Sequence, residues 1–466
     1  MAWQRDGIVY GQESIALIAY DAAGMSEAVG SLYEAAAALD PLMQWTPPGT
    51  AAIVPAAKAP AQLPAAPVAW QVAFPDRAVG LRGQPNGALA VLTQDGTVAL
   101  LDPAGKTVWQ KTVECGDELR HAASPDGNVL AVGAGHHLVA FDGRGKQLFD
   151  MPFEFDVPGA QGGKKEPSPV TAVAVSPDGK SIAAAAANGR LMLLDSQGNT
   201  KWTIGGVAAE ELAKWNADVK TWEAGAADRE AAQKQYKEVE AKWKEEVKQW
   251  EAGGKKGKQP PQPKQPNLPG KPNKPVPVPY LGAAFSADGS TLLAITKDQG
   301  HLIATADGKI GAKLGGIAPA FRPVRVGDNL LVTDGRERLA LVSPADGKAL
   351  GELRFVQKVQ APGKKPGEML DIKDTAVSAA PLGDAIIVGT EFDGTVRALK
   401  ALQGKVEEQT QWSYKVPLRL TKNVAVGDGL IAVAYWGGTL RILDATGAAK
   451  FAQVLPQDVA AMTWAG

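Results

Sequence analysis

Four histidines, one cysteine and a scatter of turn aspartates are the residues of this 466-residue chain best suited to carry chemistry. His136 and His137 stand side by side at the start of an apolar run. In a strand their side chains point to opposite faces, so the pair is a poor chelate. His121 and His301 lie far apart in sequence, and Cys115 is alone, which forbids an intrachain disulfide. No CxxC, HExxH, EF-hand, GxSxG or Walker-type loop occurs in a fitting context. Asp126, Asp178 and Asp288 sit in turns, where an aspartate caps its own backbone. No catalytic, cofactor-binding or metal-ligating residue is assigned. What remains is aromatic and basic: Trp215, Trp222, Tyr236, Trp243 and Trp250, with Lys255, Lys256, Lys364 and Lys365, as candidate contacts to another protein.

A repeat must carry these residues. Its clearest copy is Ser168 to Gly206, SPVTAVAVSPDGKSIAAAAANGRLMLLDSQGNTKWTIGG. Val170 to Val175 alternates small and β-branched residues. Ser176-Pro177-Asp178-Gly179 turns, Ile182 to Ala187 is apolar, and Asn188-Gly189 makes a hairpin. Arg190 to Leu194 is a third strand; after the turn at Asp195 to Gly198, Lys201 to Ile204 is a fourth. One such unit cannot bury both its faces and needs copies beside it. They occur at 87–113, 119–153, 280–316, 323–355, 374–416 and 419–455. The glycine before each last strand (Gly105, Gly145, Gly198, Gly308, Gly347, Gly404, Gly447) recurs at steps of 40, 39 and 43 residues wherever no insertion intervenes. The ends complete an eighth unit: Asp458 to Trp464 as first strand, Gly7 to Tyr20 as second and third, Val68 to Phe74 as fourth. A unit shared by both ends closes a ring and removes its free edges.

The Leu-Asp-x-x-Gly-Lys-x-x-Trp pattern (Leu101, Asp102, Gly105, Lys106, Trp109; loosely Leu194, Asp195, Gly198, Trp202) and the Ser-Pro-Asp-Gly turns at 124–127 and 176–179 resemble PQQ-like and WD40-like β-propellers. The resemblance covers nearly the whole chain outside two insertions. It implies an all-β, eight-bladed propeller, with seven blades as the alternative. The segments are then 1–24 (first part of the closing blade), 25–67 (helical and Ala/Pro excursion), 68–206 (propeller), 207–279 (inserted arm) and 280–466 (propeller). Quinoprotein dehydrogenases with this fold often stack their cofactor on a disulfide of adjacent cysteines and hold calcium with acidic ligands. Here Cys115 has no neighbour, and no residues match the calcium motif.

The insertion is the least ordinary stretch. Val207 to Ala252 has helix-forming composition, and LAKWNADVKTWEAG, Leu212 to Gly225, returns 28 residues later as EAKWKEEVKQWEAG. Trp215, Trp222, Arg229, Tyr236, Trp243 and Trp250 share one heptad position, with Leu212, Val219, Ala226 and Val247 on the neighbouring seam. Pro260, Pro263, Pro266, Pro269, Pro272 and Pro275 recur every third residue, the period of polyproline II. Three residues of polyproline II advance about 9.3 Å and a heptad of α-helix about 10.5 Å. Prolines and heptads therefore match one to one if a helix runs out and a polyproline strand runs back. A helical hairpin turning near Gly225 is the rival.

The net charge of −1 favours neither nucleic acid nor an anionic surface. No apolar run approaches the roughly 18 residues of a membrane span. The N-terminus shows no signal peptide, which points to the cytoplasm, or to the periplasm if a leader has been removed. The expectation is a non-catalytic protein–protein interaction scaffold or assembly subunit, binding through its rims, the arm and the loop Gln357 to Asp371, with no cofactor or specific small molecule. A ligand-binding or quinoprotein-type propeller with a site on the ring axis is the alternative.

Overall fold

The computed structural model describes strands within residues 2–5, 8–13 and 16–21, and the chain from residue 63 onward except 85, 115–118, 125, 157–164, 319–320, 322, 361–368, 417–418, 456 and 466. The chain divides into two compact units, a propeller and a smaller unit of residues 156–165 and 205–277. The propeller has seven four-stranded antiparallel sheets, each with its strands in sequence order. They span 78–112 (blade 1), 119–152 (blade 2), 170–205 (blade 3), 282–315 (blade 4), 324–354 (blade 5), 376–415 (blade 6) and 421–454 (blade 7).

Blade 3 shows why these residues form these strands. Its second and third strands, Ser181–Ala186 and Arg190–Asp195, are buried at every interior position, because both faces meet a neighbouring blade. The outer strand Thr200–Gly205 alternates exposed and half-buried residues, as a strand with one wet face should. Core clusters lie between successive blades, 1 with 2 through 6 with 7, six in all. Among the described residues, none joins blade 7 to blade 1.

The seven regularly spaced turn glycines all have positive φ, between 74° and 87°. Most also receive a side chain from the preceding blade's outer strand. Trp109 packs on Gly145, Phe149 on Gly198, Trp202 on Gly308, and Trp412 on Gly447; a methyl group on any of these glycines would overlap the ring. Trp202 and Trp412 also donate their indole N–H to a turn carbonyl, at Thr305 and Ala445. Leu314 fills the aromatic position against Gly347.

The closing blade departs from the sequence expectation: the four-stranded sheets number seven, not eight. Residues 2–5, 8–13 and 16–21 form a three-stranded sheet that, among the described residues, pairs only with itself. Val68 to Phe74 and Asp458 to Trp464, expected as the outer and inner strands of an eighth blade, form no ladder. Trp70 packs on Gly105 and donates to Pro103 O (2.9 Å), while Ala452 N–H reaches Pro64 O (2.9 Å). On the inner side, Gly83 N–H donates to Thr463 Oγ1 (3.3 Å), the Trp464 indole donates to Asp428 (3.3 Å), and Lys422 pairs with Asp458 (2.7 Å). Pro64 and Pro67 cannot donate to a ladder, so the outer piece docks through one ring and isolated backbone bonds.

In the smaller unit, α1 (Ala209–Ala224) and α2 (Ala226–Ala252) meet at Gly225 without a turn-back. Gly225 N–H reaches Thr221 O (3.3 Å) and its carbonyl accepts from Arg229 N–H (3.2 Å), so the helix runs on through the glycine. The return is an antiparallel, proline-rich extended segment. The rival hairpin is thereby set aside. Most of the 25–67 excursion falls outside the described residues.

Candidate functional site

With four antiparallel strands per blade in sequence order, the connections sort onto two rims. Turns between first and second and between third and fourth strands share one rim. Turns between second and third strands, and the links from one blade to the next, share the other.

The first rim is tight and self-satisfied. Ser124, Ser176 and Ser286 donate to Asp126, Asp178 and Asp288, and each serine accepts an N–H five residues on. Asp102, Asp142, Asp195 and Asp444 each accept two N–H groups within their own turn. These carboxylates are occupied with their own loops.

The second rim is elaborated. Between blades 5 and 6 the link grows into a ribbon, Val356–Gln360 with Met369–Lys373, on which Met369, Leu370 and Ile372 are about half exposed. Phe392 and Trp436 occupy the turn between second and third strands in blades 6 and 7, at 46% and 47% exposure. Asp374 holds the Phe392 turn, its carboxylate accepting N–H groups of Thr375, Phe392 and Asp393 at 2.8–3.0 Å. Burial pushes the Asp374 carboxyl up. Burial also opposes ionisation of Asp393, yet Arg397 and Thr390 bring it down to about 2. Beside the Trp436 turn, Lys422 Nζ lies 4.3 Å from the indole centroid and Arg419 donates to Trp436 O (2.8 Å). Residues 205–277 of the smaller unit are spliced into the link between blades 3 and 4.

Within that unit the aromatic residues find partners in the return strand. Trp215 donates to Pro272 O, Trp222 to Pro269 O, Trp243 to Pro260 O and Trp250 to Gly257 O, at 2.9–3.3 Å. Every seven-residue step along the helix matches three residues of the return, the repeat of polyproline II. Arg229 and Tyr236 continue the same seven-residue spacing between Trp222 and Trp243. All six rung residues are half-buried, as are Leu212, Val219 and Val247. Ala226, expected on this seam, is exposed, because the covered stripe passes through Gly225 and Arg229. Arg229 stacks 4.0 Å from the Trp222 ring. Lys255 and Lys256 are exposed, Lys255 with φ 61° and its Nζ 5.9 Å from the Trp250 centroid. Lys364, Lys365 and Cys115 lie outside the described residues.

The histidines form no single cluster, although the adjacent His136 and His137 line one cavity. His137 Nδ1 meets Asp150 (3.1 Å), His301 Nδ1 meets the Tyr280 hydroxyl (2.9 Å), and His121 packs on Gly80. Burial, and then Lys313, lower the His301 pKa. Among the described residues no group of three or more His, Cys, Asp or Glu is arranged to hold a metal ion, and no helix is long and apolar enough to cross a membrane. Phe392 and Trp436 were missed in the sequence; the available signal was a large aromatic residue beside the turn glycines Gly394 and Gly437, where blade 3 has Asn188 before Gly189.

A family profile described as the outer membrane protein assembly factor BamB matches residues 70–238 and 288–461. No curated protein matches by sequence. Among solved structures, BamB from Moraxella catarrhalis is similar at 14% identity and a TM-score of 0.48, over 82% of this chain and 86% of that one. The β-propeller domain of Cps50 (Swd1) from Myceliophteria thermophila is similar at 13% and 0.45, over 79% and 96%. The computationally designed Ika8 protein is similar at 11% and 0.46, over 95% of each chain.

Proposed function

Because this chain belongs to the family of the outer membrane protein assembly factor BamB, we propose that it is a non-catalytic scaffold in outer membrane protein assembly, docking other proteins through its elaborated rim. The observation that carries this reading is the difference between the two rims. One is closed by short turns, many of whose polar groups satisfy each other, apart from the 400–409 connection of blade 6 with its helical turn Val406–Gln409. The other bears the long links and half-exposed Phe392, Trp436, Met369, Leu370 and Ile372. Large apolar side chains left half exposed on a rigid frame suit protein contact, where aromatic anchors carry most of the binding energy. The inserted arm, with Trp215, Trp222, Tyr236, Trp243, Trp250, Lys255 and Lys256, is a second docking element in this proposal; Lys364 and Lys365 extend the rim loop. Work on outer membrane proteins favours the periplasmic side over the cytoplasm. We also read 64–74 and 457–464 as the edges of an incomplete eighth blade, with 2–21 as its middle strands.

Affinity purification of the full chain from envelope extracts, with quantitative mass spectrometry, tests this. Phe392→Ala with Trp436→Ala should cut recovery of outer membrane protein assembly components at least tenfold, with the melting temperature unchanged. Undiminished recovery would remove the rim from the account. Deleting 207–279 asks the same of the arm.

A further inference from the structure

The first strands of the blades face two cavities of about 410 and 300 Å³ that share Arg82 and Val324 in their walls. The first is lined by blades 1, 2, 5, 6 and 7 with the 460–462 segment, and the second by blades 1 to 5. Together they follow the ring axis. The lining includes Val79, Leu81, Val173 and Phe321, yet the exposed wall surface is more polar than apolar, and among the described residues no carboxylate lines either cavity.

The cations there differ in how they are matched. Lys422 is held by Asp458 at 2.7 Å and lies over the Trp436 ring. Among the described residues Arg82 has no such partner. Its Nε is sealed from solvent without a hydrogen bond among the described residues. The side chain as a whole is half-buried, but a guanidinium carries five donors in a planar fork and stays charged, so sealing even one donor without a partner is costly. Burial lowers its pKa from the usual value. Arg325, in the wall of the second cavity, adds a further positive charge.

We propose that the axial cavity binds a small oxyanion, a carboxylate or a phosphate, with Arg82 as its principal ligand. The guanidinium fork matches the paired oxygens of either group. This proposal does not rest on the rim reading, although Lys422 joins the cavity wall to the Trp436 turn.

The test uses the full chain at pH 7, with sodium phosphate, sodium succinate or sodium chloride at matched ionic strength. Binding to the folded state should raise the melting temperature in phosphate or in succinate, and calorimetric titration should saturate. Whichever anion acts identifies the source. Arg82→Met should bind at least tenfold more weakly, and without anion should melt no lower than the parent chain. Equal melting of the parent chain in all three salts, or equal binding by Arg82→Met, overturns the proposal. If that variant fails to fold, the ¹⁵N resonance of Arg82 Nε in the parent chain decides. It should shift and saturate with the anion, and an unmoved resonance overturns the site.

Discussion

At Ser286 the hydroxyl donates to Asp288 (2.6 Å) and accepts the N–H of Thr291 (2.9 Å). With the Ser290 N–H and hydroxyl also on the carboxylate, Asp288 is held down at about 2. An unfolded aspartate titrates near ~3.9. A depressed native pKa contributes stability that is present above ~3.9 and lost as pH falls through the native value. Ser286→Ala should therefore raise the Asp288 pKa, read by carboxyl ¹³C titration, and lower unfolding free energy at neutral pH by about 1 kcal/mol. The difference from the parent chain should shrink below pH ~3. An unmoved Asp288 pKa would mean that the serine does not set it. The repeated turn aspartates thus serve blade geometry, which is why they offer nothing to a catalytic site.

At the scale of elements, the arm holds together without a fully buried residue in α2. Its stability comes from a half-covered aromatic stripe and four indole hydrogen bonds to a strand with no ladder of its own. Two such elements are marginal apart: an isolated helix gains little in water, and polyproline II has no internal hydrogen bonds. Trp243→Ala removes one rung from the middle of α2. Amide exchange across Ala226–Ala252 should speed up by roughly tenfold or more, consistent with losing about 1–2 kcal/mol of local stability, while the blade amides keep their protection. Unchanged exchange in α2 would show that the indole ladder does not hold the helix.

For the whole propeller, the seam between blades 7 and 1 differs from the other six. Those six are strand-on-strand apolar contacts. The seventh is made by segments from both parts of the chain, with the Trp464 carbonyl against Gly83 and the Trp464 ring against Gly427. Gly83→Ala tests that closure without touching a blade core. Its new methyl meets the Trp464 backbone, and overpacking of this kind costs about 1–3 kcal/mol. Gly315→Ala is the matched control, since nothing lies within 4 Å of the added methyl. The melting temperature should fall for Gly83→Ala and stay near the parent value for Gly315→Ala. Equal melting of the two would mean that the terminal segment does not seal the ring.

Much of this was legible in the sequence because it is local. The spaced glycines mark turns that need positive φ, the Ser-x-Asp-Gly pattern satisfies itself within six residues, and a seven-to-three match between aromatic residues and prolines fixes the arm's register. Each depends on neighbours along the chain or on a fixed period. Pairing between distant ends does not: alternation at 458–464 and 68–74 fits a strand, but forming a ladder depends on backbone donors supplied by another part of the chain. Nor does exposure follow from residue type. Phe392 and Trp436 resemble core residues in composition, and only the direction of their turns leaves them half exposed. Arg82 reads as one more strand arginine until the blades gather around the axis and leave it there without a carboxylate. Repetition and turn chemistry are written in the order of residues, whereas charge balance and closure arise from which distant residues the fold brings together.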